Sequence, residues 1–195
     1  MNNWLTRLLS GNPRNNPDLP HFETRYAVIN TEASGLNPDS DRLLAVAAIG
    51  IEGGVIDPNN SYYAATTPSA DEALAGLLDF IHDKPVVAFN TSLQRALLDR
   101  SLGDKADALA QTTCLDLYYL LPALFPEKRD LPGRLADWMA LFDIETFQRH
   151  HALGDAWAIA QLFLAVQGRA LSQGLVTASA LHDAEHAYRQ LRRQA

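Results

Sequence analysis

Residues 26–38 of this chain read Tyr26-Ala-Val-Ile-Asn-Thr-Glu-Ala-Ser-Gly-Leu-Asn-Pro38. The stretch begins as a short apolar run that favours β-structure and ends in a turn at Ser34-Gly35. Asn30 and Glu32 end the predicted strand, a place where polar side chains often form sites. Because side chains two apart on a strand point the same way, these two residues are expected to share one face. Alone, the pattern is also typical of a strand that simply ends in a polar turn.

The composition indicates one globular domain with a full hydrophobic core. The chain has 195 residues, of which 47% are hydrophobic and 20% are charged. No apolar run is long enough to span a bilayer, and no signal-peptide pattern is visible. A single cysteine, Cys114, excludes an intrachain disulfide and is expected to be a core residue. We therefore expect a cytoplasmic protein without membrane association.

The formal net charge bears on the class of partner. It is −7, which disfavours broad nonspecific binding to nucleic acid because such binding needs a basic surface. An acidic metal site with a local basic rim stays compatible with this charge. The basic end of the chain, Arg189 to Arg193, is most typical of a solvated helix terminus that pairs favourably with the helix dipole.

The hydrophobic pattern predicts three strands, then alternating helices and strands, then helices. Residues 43–51 are almost continuously apolar, which predicts a strand buried on both faces. Gly53-Gly54 predicts a hairpin into a third strand that ends near Thr66. Helices are predicted at 71–83, 92–102, 117–125, 133–142, 150–168 and 178–193, and short strands at 86–89 and 112–115. Asn90-Thr91 is expected to cap the second of these helices.

This order of elements predicts an α/β domain with a mixed central sheet. An antiparallel three-strand meander is expected to continue into parallel strands, with helices on both sides of the sheet. Residues 25–195 are expected to form this single domain and to end in a C-terminal helix. Residues 1–24 are expected to form a short amphipathic helix followed by an irregular linker.

Three segments resemble, in order, the motifs of one nuclease superfamily. They are Asn30-Thr-Glu32-Ala-Ser34-Gly35-Leu36-Asn-Pro38, then Ala88-Phe89-Asn90-Thr-Ser-Leu93-Gln94-Arg95, then His150-His-Ala152-Leu153-Gly-Asp155-Ala156. Over about residues 25–168 the chain thus resembles the DEDDh 3′–5′ exonuclease superfamily. The best-known member is the exonuclease (epsilon) subunit of bacterial DNA polymerase III. The resemblance implies the ribonuclease-H-like fold.

The resemblance also implies a site in which four carboxylates hold two divalent cations, Mg²⁺ or Mn²⁺. By position, Glu32 and Asp155 match two of the metal-binding acids. Asn30 and Gln94 stand where the family has the other two. His150 matches the general base. The motifs further imply contacts with the substrate at Thr31, Ser34, Gly35, Leu36 and Asn90.

Two amides in place of two acids predict impaired catalysis. An amide oxygen can touch a cation but brings no negative charge. At an effective dielectric constant of about 20, one pair of unit charges 4 Å apart is worth about 4 kcal/mol. Since about 1.4 kcal/mol is a factor of ten in rate, we predict that two-metal catalysis is severely weakened or absent. Asp99 is expected to face away from Gln94 and cannot replace the lost acid.

The sequence leaves three functions open. The first is a degenerate exonuclease-like protein that binds nucleic acid, such as a single-stranded 3′ end, or a nucleotide poorly and acts as a binding or partner module. The second is a weak 3′–5′ exonuclease on DNA or RNA that uses Glu32, Asp155 and His150 with one metal ion. The third is a protein-interaction domain that retains only the fold.

Overall fold

The structure, a computed structural model, describes residues 16–35, 37–103, 112–128 and 133–194. The strands are β1 (Tyr26–Ala33), β2 (Leu43–Glu52), β3 (Val55–Ala65), β4 (Val86–Ala88) and β5 (Cys114–Asp116). The helices are α1 (Ala70–Ile81), α2 (Thr91–Leu102), α3 (Leu117–Leu124), α4 (Leu135–Leu141), α5 (Ala152–Ser172) and α6 (Ala178–Gln194), with a 3₁₀ turn at Pro126–Lys128. The helix predicted at 1–10 lies outside the described residues.

The strands form one mixed sheet in the order β3-β2-β1-β4-β5. Strand β2 pairs antiparallel with both β1 and β3, whereas β4 pairs parallel with both β1 and β5. The predicted meander with added parallel strands is therefore confirmed. Because β1 is the middle strand, its carboxyl end lies at the centre of one sheet edge. Among the described helices, none is long and apolar enough to cross a membrane.

Each face of the sheet carries its own hydrophobic cluster. Tyr26 and Val28 of β1 pack in the cluster that includes α3 and α5. Ala27 and Ile29 pack in the cluster that includes α1 and α2. This alternation follows from the two-residue repeat of a strand and explains why the start of β1 is continuously apolar. By the same alternation Asn30 continues the face that meets α5.

One predicted irregularity is confirmed and one predicted boundary differs from the structure. The sequence Asp57-Pro-Asn-Asn60 is typical of a turn or a bulge, and these residues lie within β3, where the register of β2 against β3 shifts between Ile49 and Ile51. A bulge thus absorbs the irregular segment. Helix α5 runs through Gly168, which was expected to end or loosen it, and stops at Ser172. Gly174 follows with a φ of 78°, a conformation that glycine adopts without steric cost.

The predicted cap of α2 is also different. Asn90 precedes the helix, but its φ is 60° and its side chain makes no capping hydrogen bond. The carboxylate of Asp116 caps the helix instead, since it accepts the backbone N–H of Asn90 at 2.8 Å and that of Thr91 at 2.9 Å. The prediction for Asn90 was therefore wrong, because capping residues usually have extended backbone angles and Asn90 instead lies in the left-handed region.

A buried glutamate of α6 holds the backbone of Asp116, the residue that caps α2. Glu185 is 5% exposed, and one of its oxygens accepts the backbone N–H of Asp116 at 2.7 Å. Its other oxygen lies 2.9 Å from Nε of Arg189. Burial raises the pKa of Glu185 to about 7, although the Asp116 hydrogen bond and the Arg189 charge oppose the rise.

We expect this glutamate to make the stability of the fold fall as pH rises. Its pKa is higher in the folded chain than the ordinary value of 4.5, so the folded state holds the proton more tightly. Its contribution to the free energy of unfolding is complete below pH 4.5 and is lost as pH rises through about 7, with a total of roughly 3 kcal/mol.

Glu185→Gln should remove this pH dependence of stability, measured by urea unfolding between pH 4.5 and 8. Asp183→Asn, at an exposed acid of the same helix, is the control. Parallel curves for the wild type and Glu185→Gln would refute the assignment.

Candidate functional site

The carboxyl end of β1, the first turns of α2 and the amino end of α5 meet at one place. Asn30 and Glu32 come from β1, Gln94 comes from α2 and Asp155 comes from α5. Asn30, Gln94 and Asp155 are each at most 8% exposed, whereas Glu32 is half-buried. The structure therefore brings together the four positions that the sequence motifs singled out.

The two amides of this site are hydrogen-bonded to each other. Nε2 of Gln94 donates to Oδ1 of Asn30 at 3.0 Å, and Oε1 of Gln94 accepts the backbone N–H of Thr31 at 2.8 Å. Nδ2 of Asn30 donates to the carbonyl oxygen of Ala152 at 3.4 Å. We call this arrangement the amide bridge. Both amide oxygens already accept a hydrogen bond, and the bridge links β1, α2 and α5 without any net charge.

The two acids of the site lie close enough to repel each other. Burial raises the pKa of Glu32, and the nearby charge of Asp155 raises it further. Burial also raises the pKa of Asp155, whereas the charge of Arg149 works in the opposite direction. Arg149 forms an ion pair with Asp155 through a direct hydrogen bond. A side chain of the protein therefore already provides a positive charge to one of the two acids.

The two histidines before α5 take different roles. His150, the predicted general base, is exposed and has a φ of 57°, which is uncommon for a residue with a Cβ. Its charge would lower the pKa of Glu32 and of Asp155, so it lies within electrostatic reach of both. His151 is the N-cap residue of α5, and its ring is stacked on that of Tyr63. Its Nδ1 is buried with no hydrogen-bond partner in the described ranges.

The described residues among those predicted to contact the substrate lie in β1, at the start of α2 and in the loop after β1. Thr31 is buried within the site, and Asn90 is exposed at the start of α2. Ser34 donates to Asp41 at 2.9 Å and accepts the backbone N–H of Arg42, so its hydroxyl stabilises its own loop. Gly35 lies against the carboxylate of Asp41, where a side chain would clash. Leu36, also predicted, lies outside the described residues.

Whether a pair of divalent cations fits this site depends on which side-chain oxygen atoms are free to bind them. Mg²⁺ prefers charged oxygen ligands in nearly ideal octahedral geometry. Here both amide oxygens are engaged in the amide bridge, and Asp155 is engaged with Arg149. No group of three or more His, Cys, Asp or Glu side chains that could hold a metal ion occurs within the described parts of the chain. The residues in this arrangement do not fit a two-metal centre.

Comparison of the sequence with known proteins finds DNA polymerases. The PolC-type DNA polymerase III of Bacillus cereus is 26% identical over 184 residues, a match that takes in 83% of this chain. That of Bacillus subtilis is 26% identical over 175 residues, or 78% of this chain. The chain spans 12% of the length of each of these relatives. No protein-family model matches the sequence.

Comparison of the structure finds nucleases. E. coli Exonuclease I in complex with a dT13 oligonucleotide has a TM-score of 0.60 at 17% identity, over 76% of this chain and 42% of that one. The chain has an exonuclease fold. Exonuclease X in complex with 5′-overhanging duplex DNA has a TM-score of 0.54 at 18% identity, over 82% of this chain and 99% of that one. The predicted ribonuclease-H-like exonuclease fold is thereby confirmed, and both comparisons are consistent with the resemblance to the DEDDh superfamily.

Within the exonuclease fold, the structure adds residues that the motifs did not indicate. Arg149 directly precedes the third motif, and an arginine at that place had no pattern to distinguish it. Tyr63 belongs to β3, far from all three motifs in sequence, and Phe147 belongs to the loop before α5. The only sequence signal for these two was an aromatic residue in a largely polar segment.

Proposed function

We propose that this chain is an exonuclease-family protein that binds a single-stranded 3′ end or a nucleotide, and whose two-metal catalysis is severely weakened or absent. The observation that carries the proposal is the amide bridge between Asn30 and Gln94. Two positions that would supply negative charge to divalent cations instead carry neutral amides that are hydrogen-bonded to each other and to the backbone. The substrate class follows from the motifs and from the nuclease fold.

The charges of the site support the loss of catalysis. Glu32 and Asp155 carry the acidic charge, and Arg149 offsets one of these two charges. Two divalent cations would therefore bring far more positive charge than the side chains balance. Each missing charge pair is worth about 4 kcal/mol at 4 Å and an effective dielectric constant of about 20. Two such losses correspond to several powers of ten in rate.

The same arrangement supports binding in the absence of cations. Four carboxylates without metal would repel the phosphate groups of a nucleic acid. The amide bridge removes two of those charges, and Arg149 stands beside the remaining buried acid. A phosphate group could therefore approach this site with much less repulsion than it would meet at four bare carboxylates.

An exonuclease assay tests the proposal directly. We expect the wild-type protein to leave 5′-labelled single-stranded DNA and RNA at full length in Mg²⁺ or Mn²⁺. We also expect it to bind the same oligonucleotides in EDTA, measured by fluorescence anisotropy. Ordinary turnover would contradict the loss of catalysis. Absence of both turnover and binding would favour a protein-interaction domain that retains only the fold.

A weak exonuclease that uses one metal ion is the second candidate. The observation in its favour is that the charge of Asp155 raises the pKa of Glu32, so the two carboxylates lie within electrostatic reach of each other in the same site. Mn²⁺ titration followed by electron paramagnetic resonance separates the two candidates. Saturable binding that Glu32→Gln abolishes, together with slow Mn²⁺-dependent cleavage, would favour this second function. His150→Ala should then also reduce cleavage, since His150 is the predicted general base.

A further inference from the structure

Three aromatic rings form an exposed cluster beside the candidate site. The ring of Tyr63 is stacked on that of His151, with centroids 4.8 Å apart and planes 19° from parallel. The ring of Phe147 meets His151 at 5.9 Å and 61°. Tyr63 is 45% exposed and Phe147 is 65% exposed. We call these three residues the aromatic cluster.

The aromatic cluster adjoins the amide bridge. His151 directly precedes Ala152, whose carbonyl oxygen accepts the hydrogen bond from Asn30. A positive charge on His151 would also lower the pKa of Glu32, so the ring lies within electrostatic reach of that acid. The stack is therefore fixed to the amino end of α5, so the cluster and the site keep their relative positions.

Packing alone does not account for the exposure of these rings. Single exposed apolar side chains are normal on protein surfaces. Here, however, two exposed rings flank a third ring beside the candidate site, and they hold one another in place. A flat ligand with an aromatic face would cover them at little cost in side-chain entropy, because the stack is already formed.

We propose that the aromatic cluster is a stacking site for an unpaired nucleobase, and this rests on the proposed binding of single-stranded nucleic acid. Every base presents an aromatic face, so such a site is tolerant of sequence. A paired base in a duplex keeps its faces covered by its neighbours, which favours unpaired ends. With a net charge of −7, the protein gains affinity from base contacts rather than from a broad basic surface.

Anisotropy measurements with labelled oligonucleotides in EDTA test this site. We expect Tyr63→Ala and Phe147→Ala each to weaken binding of a single-stranded 12-mer by about 5- to 150-fold, the range for loss of one base stack. Tyr63→Phe and Phe147→Tyr should bind like the wild type because both keep a ring. Phe22→Ala is the matched control, since Phe22 is 62% exposed and lies against the turn at Gly54, at the other end of β1.

An oligonucleotide with abasic residues at its 3′ end separates base recognition from phosphate recognition. The wild type should bind it about as weakly as Phe147→Ala binds the normal oligonucleotide. If the wild type binds both oligonucleotides equally well, or if Phe22→Ala lowers affinity as much as Phe147→Ala, the stacking site is wrong and the proposed function stands. If the wild type binds neither oligonucleotide, the proposed function fails and the stacking site with it. Circular dichroism and melting temperature verify that each variant is folded.

Discussion

The double substitution Asn30→Asp with Gln94→Asp is expected to make the stability of the fold depend on divalent cations and to switch on hydrolysis at 3′ ends. It replaces the neutral amide bridge with two carboxylates beside Glu32 and Asp155. Two like charges about 5 Å apart repel by about 3 kcal/mol at an effective dielectric constant of about 20. In EDTA the melting temperature should therefore fall by roughly 6–12 °C for a chain of this size.

Cations should reverse this loss in the double variant alone. Mg²⁺ or Mn²⁺ would neutralise the four carboxylates, so the melting temperature should recover with cation concentration. Cleavage of a labelled single strand should rise by at least two powers of ten over the wild type. The wild type should show neither response, because its amide bridge is already satisfied without a cation.

A neutral control isolates charge from side-chain length. Gln94→Asn shortens the side chain as Gln94→Asp does, but it adds no charge. If Gln94→Asn and the double variant melt alike in EDTA, the loss comes from shortening and not from repulsion. If the double variant gains neither stability nor activity with Mn²⁺, the site is not a former metal centre. Adding Arg149→Gln should strengthen the cation response, since it frees Asp155 from its ion pair.

Asp116→Ala is expected to be among the most destabilising single substitutions in the described chain, at about 3–5 kcal/mol. Asp116 is 1% exposed and accepts hydrogen bonds from the backbone N–H groups of Asn90, Thr91 and Tyr118. It also accepts one from Arg189 at 3.1 Å. The substitution leaves these donors unpaired in the interior and removes one of the two acids that Arg189 contacts, whereas the hydrogen bond from the backbone N–H of residue 116 to Glu185 is kept.

Urea unfolding measures this loss. Asp116→Asn keeps the shape and one acceptor oxygen but removes the charge, so its cost should be intermediate. Asp183→Ala, at an exposed acid of α6, should cost less than about 0.5 kcal/mol. Because the cap of α2 fixes the helix that carries Gln94, Asp116→Ala should also weaken oligonucleotide binding in the protein that remains folded. A loss no larger than that of the surface control would mean that the cap contributes little to the fold.

The differences between prediction and structure share one physical pattern. The apolar run of β1 and the turn signals were readable because burial on two faces and backbone preferences act over a few residues. The cap of α2 was not readable, because the carboxylate that accepts its backbone N–H groups lies in β5 and reaches α2 only after the parallel strands have paired. Asn90 had the right residue type at the right place, but its backbone lies in the left-handed region and its side chain makes no capping hydrogen bond.

The sequence by itself determined the mixed sheet, the order of its strands and helices, and the positions Asn30, Glu32, Gln94 and Asp155 within the three motifs. These follow from local periodicity and from motif spacing, which are properties of neighbouring residues. Only the tertiary structure decided that the two amides bond to each other, that Arg149 pairs with Asp155 and that Tyr63 stacks on His151. Each of these contacts joins separate elements, or depends on a loop conformation that those elements impose. Its energy therefore depends on distances that no linear pattern contains.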